Sequence, residues 1–181
     1  IRVNVTNAPT PSTIDHLLAG RIDFGVISTP FVSADNIRVY KGRRIKDIFV
    51  AGEKYRELEG KLLDYEVLLK YPLICLEKNT STRRFIDDYL KKNNLQINPE
   101  FELATSAMVV QFATRNLGIG CVVEDFAREE LTSGKIFKLQ FKEELPSREI
   151  CVITDKKNIM SRAANALLRF LEEEYETLQK P

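Results

Sequence analysis

The feature of this sequence that most restricts its fold is a regular alternation between strand patterns and helix patterns. Residues 1–7 alternate apolar and polar side chains, which predicts a strand, and residues 23–28 form a second, nearly all-apolar strand. Between them lies a predicted short helix that is capped by the pair Ser12 and Asp15 and ends at Gly20. Strand, helix and strand within the first 28 residues predict one right-handed crossover unit.

The same alternation continues along the chain and restarts near residue 72. Residues 36–51 predict one or two strands, separated by the basic run at 41–44. Further strands are predicted at residues 72–77, 101–104, 119–123, 136–141 and 149–154, and helices at residues 83–93, 106–117, 125–133 and 161–179. In this interpretation Ser106 caps the helix that follows it, and Gly118 and Gly134 each end a helix. The pattern predicts an α/β fold with largely parallel sheets.

Composition narrows the function classes. The chain has 181 residues, 44% hydrophobic and 29% charged, which suits a globular domain or two small lobes. Its formal net charge of +1 excludes a domain whose main task is to hold nucleic-acid phosphates, because such domains carry a clear basic excess. No apolar run reaches the ~20 residues of a membrane-spanning helix, and no signal-peptide pattern is present. Since the sequence starts at Ile1 inside an apolar pattern, we interpret it as a fragment.

No set of residues typical of catalysis or metal binding stands out in the sequence. Cys75, Cys121 and Cys151 each lie in an apolar run, which predicts buried, reduced thiols in strands and a reducing, cytoplasmic compartment. The alternative is a redox or nucleophilic cysteine, which no CxxC motif or nearby histidine supports. The single histidine, His16, is expected to be exposed or half-buried on the first helix. The sequence therefore predicts no enzymatic activity, no metal and no cofactor.

Two further motifs resemble binding sites only in part. Gly118-x-Gly120 follows a predicted helix and precedes a strand, whereas the dinucleotide fingerprint needs the reverse order and a third glycine. Lys41, Arg43 and nearby basic residues form a cluster without interleaved aromatic residues. We interpret this cluster as a solvated hairpin or an interface, with nucleic-acid binding as the alternative.

Hydroxyl-rich turns recur where a predicted helix begins. Their members are Thr6, Asn7, Thr10, Ser12 and Thr13, then Asn79, Thr80, Ser81 and Thr82, and finally Thr105 and Ser106. In open α/β sheets, ligands bind beyond the carboxyl ends of the strands, and helix N-termini attract anions. Two interpretations stay open at this point: these residues are helix caps, or they share an anion site. Either way the turns indicate binding without turnover.

Three motifs, in a fixed order along the chain, carry a resemblance to a known family: Leu17-x-x-Gly20-x-x-Asp23-x-x-Val26, then Asn79-Thr80-Ser81-Thr82-Arg83-Arg84, then Thr105-Ser106 with Leu117-Gly118-Ile119-Gly120-Cys121-Val122-Val123. In order and spacing they resemble the effector-binding domain of LysR-type transcriptional regulators, and the resemblance covers nearly the whole chain. Each motif is common by itself. Their combination makes the resemblance specific.

The resemblance implies a two-lobed, periplasmic-binding-protein-like (type 2) α/β fold with two mixed, mostly parallel sheets and a hinge of two crossovers. Residues 1–50 and 125–181 would form the first lobe, which would lack the family's initial strand and helix. Residues 51–124 would form the second lobe. A small, anionic metabolite would lie between the lobes and control transcription. A solute-binding protein of a transporter, which would share this fold and cleft, is the alternative function.

The resemblance also implies the residues and partners of the site. The candidate effector-binding residues are Asn7, Thr10, Thr13, Thr80, Ser81, Thr82, Thr105, Ser106 and Val123. Family members contact DNA through an N-terminal winged helix-turn-helix, which is absent from this sequence, and no membrane contact is implied. The expected assembly is a homodimer, or a tetramer in the full-length regulator. Residues 12–19 and 125–133 are the candidate contacts, with Leu17 partly exposed on the first helix.

Overall fold

The computed structural model describes residues 2–178, with side chains described through residue 171. The helices are α1 (Thr10–Leu18), α2 (Ser81–Lys92), α3 (Ser106–Thr114), α4 (Arg128–Thr132) and α5 (Arg162–Leu178). The strands are β1 (Gly25–Ser28), β2 (Ile37–Ile45), β3 (Asp47–Gly52), β4 (Leu62–Leu63), β5 (Leu73–Leu76), β6 (Phe101–Leu103), β7 (Ile119–Val123), β8 (Ile136–Lys138), β9 (Gln140–Phe141) and β10 (Arg148–Asp155). Three short 3-10 helices cover Glu53–Leu58, Tyr65–Lys70 and Glu124–Ala127.

The contacts divide the chain into two compact units. Unit 1 comprises the described parts of Ile1–Arg44 and Arg148–Pro181, and unit 2 comprises Ile45–Ser147. These boundaries differ from those of the predicted lobes, which change after residues 50 and 124. The reason is that β3 pairs with both β7 and β8, which keeps all three strands inside unit 2.

Unit 1 contains a three-stranded sheet in the order β1-β10-β2, and β1 pairs antiparallel with β10. Its core consists of Leu17 from α1 with Ile27, Ile37 and Ile153 from the three strands. Leu17 is only 1% exposed, so the prediction that it is partly exposed is wrong. The adjacent Leu18 is 37% exposed instead, because it lies on the solvent side of this short helix.

The N-terminal part of unit 1 corrects two predictions. Residues 2–7 form no strand and their side chains are exposed, because no strand of the described sheet pairs with them; Ile1 lies outside the described residues. The predicted crossover is therefore reduced to a helix followed by one strand. The helix begins at Thr10 after Pro9 and has no side-chain cap, so Ser12 lies inside the helix and does not cap it.

Unit 2 contains a five-stranded mixed sheet in the order β6-β5-β7-β3-β8. β5 is parallel to β6 and β7, whereas β3 is antiparallel to β7 and β8, so both kinds of pairing contribute equally here. Along β3, Phe49 and Ala51 belong to one core cluster, and Ile48 and Val50 belong to the other. Both faces of the sheet are thus covered, which explains why its central strands are apolar at nearly every position.

The helices of unit 2 cover opposite faces of this sheet. Ile86 and Leu90 of α2 pack in the cluster with Phe49, while Val109 and Ala113 of α3 pack in the cluster with Val50. The predicted α/β fold with mixed sheets is confirmed. The prediction that the sheets are mostly parallel is wrong, because β1 pairs antiparallel with β10 and half of the pairings in the five-stranded sheet are antiparallel.

Two of the predicted helix ends are confirmed and one is wrong. Gly20 and Gly134 have φ values of +67° and +71°, the left-handed conformation expected after a helix. Gly118 does not end α3. Asn116 does so with a φ of 62°, and the Leu117 amide bonds back to the Phe112 carbonyl. Gly118 is required for close approach, because a Cβ there would lie 2.5 Å from the Pro72 carbonyl oxygen.

The basic cluster lies on a strand and not in a turn between strands. β2 runs without a break from Ile37 to Ile45, and the chain leaves the strand conformation at Lys46. Lys41, Arg43 and Arg44 are exposed. The predicted interruption at 41–44 is therefore wrong: these exposed charges lie within a strand that is buried at its two ends, Ile37 and Ile45.

The predicted closing helix is present as α5. Ala164 and Leu168 are buried, whereas Leu167 and Leu171 are each 36% exposed. The side chains of residues 172–178 in this helix, Tyr175 and Leu178 among them, lie outside the described residues. Within the part of the chain that is described, no helix combines the length and apolar character that crossing a bilayer needs.

Candidate functional site

Three neighbouring strands of unit 2 end at the same edge of the sheet. β6, β5 and β7 are mutually parallel, and their last residues are Leu103, Leu76 and Val123. α2, α3 and the 3-10 helix Glu124–Ala127 follow these ends, so their first turns lie at one edge. We call this the β5–β6–β7 edge: the turns at residues 77–83, 104–108 and 123–127.

Six of the predicted site residues lie at the β5–β6–β7 edge: Thr80, Ser81, Thr82, Thr105, Ser106 and Val123. Of these, Val123 is buried at the end of β7, where it is paired in register with Asp47. A ligand at this edge would therefore meet only the apolar side chain and the backbone of Val123. Thr82 is also buried, whereas Ser81 and Ser106 are half-buried.

Thr80 is the N-cap of α2. Its Oγ1 accepts a hydrogen bond from the Arg83 amide at 3.2 Å and donates one to the Glu77 carbonyl at 2.8 Å. The hydroxyl proton is thus used within the turn. Capping alone accounts for this side chain. A ligand could only donate a hydrogen bond to the second lone pair of Thr80 Oγ1.

Thr105 is the N-cap of α3, and the prediction that Ser106 caps this helix is wrong. Thr105 Oγ1 accepts from the Met108 amide at 3.3 Å, and Ser106 is the first residue of the helix. The difference arises because Thr105 has extended backbone angles that aim its side chain at the first turn. Met108, in that same turn, is 39% exposed.

The remaining predicted residues lie in unit 1 around the start of α1. Asn7 is exposed in the irregular segment, and Thr10 is the first residue of the helix. Thr13 Oγ1 donates to the Ala8 and Pro9 carbonyls at 3.3 and 3.2 Å, which fastens the preceding segment to the helix. These three residues form a separate group within their own unit.

The sequence interpretation did not single out Arg83, the most deeply embedded charge at the β5–β6–β7 edge. Its side chain is 3% exposed. Nε donates to both carboxylate oxygens of Asp87 at 2.9 and 3.0 Å, and Nη1 donates to Glu102 Oε1 at 3.1 Å and to the Leu76 carbonyl at 3.2 Å. Burial lowers the pKa of Arg83, but the hydrogen bonds to Asp87 and Glu102 raise it more, so the net shift is upward. An arginine three residues after a cap and four residues before an aspartate is the signal that indicates it.

The three cysteines are buried, and the single histidine is half-buried. Cys75, Cys121 and Cys151 are buried in β5, β7 and β10, as predicted. Burial raises the pKa of the Cys75 thiol to about 12, which leaves it protonated at neutral pH. His16 is half-buried on α1, as predicted. Among the described residues, no group of three His, Cys, Asp or Glu side chains has a geometry suited to a metal ion.

The chain is similar in fold to solved regulatory and effector-binding domains. It matches the Synechocystis PCC6803 CcmR regulatory domain in complex with 2-PG at a TM-score of 0.81 and 14% identity, covering 92% of this chain and 80% of that one. For the effector binding domain of QuiR in complex with shikimate the TM-score is 0.80 at 18% identity, with coverages of 94% and 79%. The apo regulatory domain of HypT from Salmonella typhimurium matches at a TM-score of 0.76 and 19% identity, covering 94% of this chain and 80% of that one. At these identities the likeness shows the fold.

A search of curated protein sequences found no match. The family model described as LysR substrate binding domain matches residues 1–176. This domain has the type 2 periplasmic-binding-protein-like fold, which agrees with the mixed sheets and the structural neighbours described above. The chain belongs to the LysR substrate-binding domain family, the effector-binding regulatory part of LysR-type transcriptional regulators.

Proposed function

We propose that this domain binds a small anionic metabolite at the β5–β6–β7 edge and regulates transcription without converting the metabolite. The observation that carries the proposal is that two helices, α2 and α3, begin at adjacent ends of the parallel strands β5 and β6. The first turns of both helices therefore present positive dipole ends at one sheet edge, a location where α/β proteins bind ligands.

Two structural neighbours support the choice of an anionic ligand, because one contains 2-PG and another contains shikimate. On this chain, Ser106 is the side chain best suited to contact such a ligand. It is half-buried in the first turn of α3, and Thr105 already satisfies the cap. Asn7, Thr10 and Thr13 of unit 1 stay predicted effector contacts. Residues Ser81, Thr82 and Val123 would complete the site.

The effector can be identified directly from the purified protein. Native mass spectrometry of the chain should detect a small molecule of less than about 300 Da that is lost on denaturation, since the proposed ligand is a metabolite. Calorimetric titration with the identified compound should then give one site per chain. Absence of binding by any carboxylate or phosphate compound in a metabolite panel would contradict the proposal. Turnover of the bound compound, followed by product analysis, would contradict the regulatory role.

We also propose the biological setting that is typical of the family. The domain acts in the cytoplasm, and DNA is contacted by a winged helix-turn-helix of the full-length regulator. It associates as a homodimer, with tetramers in the full-length protein, through the surfaces of α1 and of residues 125–133. Exposed apolar side chains on these surfaces, Leu18 at 37% and Phe126 at 59%, support this assignment.

Sedimentation tests the dimer. Leu18→Glu and Phe126→Glu place a charge on the two surfaces and should shift the sedimentation coefficient from dimer to monomer at micromolar concentration. Val32→Glu is the matched control, because Val32 is 85% exposed outside both surfaces. A dimer that both variants leave unchanged would contradict these contact surfaces.

A further inference from the structure

We infer that Arg83 is a positioning residue that fixes the two ligand-facing turns of the β5–β6–β7 edge relative to each other. The inference rests on the proposed function, because it assigns a purpose to the geometry of that same site. Arg83 itself is buried beneath the edge, with a side-chain exposure of 3%, so it acts through the turns that it connects.

The contacts of Arg83 join three elements. Its backbone belongs to the first turn of α2, and its Nη1 bonds to the Leu76 carbonyl at the end of β5 and to Glu102 on β6. The Arg83 amide also donates to Thr80 Oγ1, the cap of the same helix. One guanidinium thus links the start of α2 to the strand that leads into α3.

A second set of hydrogen bonds runs parallel to this link. The Glu77 amide donates to the Leu103 carbonyl at 3.1 Å, and the Glu77 carbonyl accepts from the Thr80 amide at 3.0 Å. Leu103 is followed two residues later by Thr105, the cap of α3. The Thr80 turn and the Thr105 turn are therefore connected by backbone hydrogen bonds. The Arg83 side chain adds a second connection through its bonds to Leu76 and Glu102.

The two carboxylate contacts of the Arg83 guanidinium have different structural effects. Its Nε arm binds Asp87, which lies on the same helix four residues later, and this contact stabilises α2 internally. Its Nη1 arm reaches Glu102 on a different element. Loss of Asp87 should therefore lower stability and leave the spacing of the turns unchanged, whereas loss of Glu102 should release β6 from α2.

Electrostatics alone predict the opposite sign for Glu102. This carboxylate lies near the proposed anion site, so its removal would tighten anion binding if charge were its only role. A positioning role predicts weaker binding, because the donors of the two turns would no longer converge. The direction of the change in affinity thus separates the two explanations.

The test compares Glu102→Ala with the matched variant Asp87→Ala, each of which removes one carboxylate from the same guanidinium. Inorganic phosphate and shikimate serve as probes in calorimetric titrations of the 181-residue chain. NMR amide exchange of Met108 and Val109 reports the α3 turn, and melting temperatures report stability. Glu102→Gln, which keeps an acceptor for Nη1, is the second variant in case Glu102→Ala does not fold.

We expect Glu102→Ala to weaken probe binding about tenfold, the scale of one lost hydrogen bond to a charged group, and to accelerate exchange at Met108 and Val109. Asp87→Ala should lower the melting temperature and keep affinity within about twofold. Glu102→Gln should fall between wild type and Glu102→Ala.

The failures are distinguishable. Wild-type binding of either probe, together with equal or tighter binding by Glu102→Ala, would overturn the positioning role. If the wild type binds neither probe, phosphate and shikimate are not its ligands, and the metabolite panel described above tests the proposed function separately. Amide exchange then decides the inference alone: faster exchange at Met108 in Glu102→Ala than in Asp87→Ala supports it, and equal exchange overturns it.

Discussion

The two consecutive strand–turn–helix segments of unit 2, β5–α2 and β6–α3, have similar sequences at their turns and different surroundings. β5 is central in the sheet and its four residues are all buried, whereas β6 is at the edge and partly exposed. At one register position, buried Cys75 of β5 is opposite Glu102 of β6, whose side chain is 36% exposed. The central position gives the first turn a dense set of partners.

The same difference appears in the caps. Thr80 makes two side-chain hydrogen bonds, and the residue three positions later, Arg83, is buried. Thr105 makes one side-chain hydrogen bond, and the residue three positions later, Met108, is exposed. We expect the Thr80 turn to be the rigid half of the site and the Thr105 turn to be the adaptable half. Local sequence alone does not separate them, because both are a threonine before a helix.

The largest expected effect tests the rigid half. Arg83→Ala removes a buried guanidinium and leaves Asp87, Glu102 and the Leu76 carbonyl without their donor, so we expect the free energy of unfolding to fall by about 3 kcal/mol. The control is Arg84→Ala, which removes an exposed neighbour and should change stability by less than about 0.5 kcal/mol. Urea denaturation measures both. Equal effects of the two variants would remove the contrast between the segments.

The second effect tests the burial of Cys75 in β5 through the dependence of stability on pH. Because burial raises the pKa of Cys75 to about 12, the folded chain keeps a proton that the unfolded chain loses near pH 9, and stability falls as pH rises between these values. Cys75→Ala lacks this group. We expect its stability to decline by about 2 kcal/mol less than that of the wild type between about pH 7.5 and pH 10.5. Urea denaturation at both pH values gives the difference, and parallel declines would show an accessible thiol.

The third effect compares the caps directly. Thr80→Ala should lower the free energy of unfolding by about 1.5 kcal/mol and Thr105→Ala by about 1 kcal/mol, because the first loses two hydrogen bonds and the second loses one. Thermal denaturation of each variant measures the loss. The Ser forms, Thr80→Ser and Thr105→Ser, keep the hydroxyl and should restore most of it. A greater loss at Thr105 would reverse the proposed order of rigidity.

The smallest effect on stability is expected at Ser106. Since Thr105 caps α3, Ser106→Ala should change stability by less than about 0.5 kcal/mol, while affinity for the effector falls by about 1 kcal/mol. Calorimetric titration and a melting curve on the same sample separate the two. Unchanged affinity would remove Ser106 from the site.

Much of unit 2 could be predicted because its strands are buried on both faces. The continuous apolar runs at β5 and β7 and the period-two alternation of the core along β3 follow from that burial. The turns at Thr80 and Thr105 were also predictable, since a hydroxyl residue before an amphipathic helix satisfies free backbone amides. Predictions based on single residues were weaker: Ser106 and Gly118 were assigned roles that the neighbouring Thr105 and Asn116 perform.

Residues 2–7 and Leu17 show where local pattern fails. The alternation at 2–7 is typical of a strand, but a strand exists only with a hydrogen-bonding neighbour, and none of the described strands pairs with this segment. Leu17 and Leu18 are identical in type and adjacent in sequence. Only packing against Ile27 and Ile153 decides which one is buried.

The sequence by itself determined the fold class, the order of most elements, the buried thiols and the motifs that indicate the family. These properties depend on hydrophobic periodicity and local capping, which involve residues that are close together in sequence. The tertiary structure decided the extent of the two units, the caps and the role of Arg83. Its partners Glu102 and Leu76 are 19 and 7 residues away in sequence, and they meet Arg83 only because β5 and β6 lie side by side. A buried arginine is stable only where such distant acceptors converge, and that convergence is a property of the folded sheet.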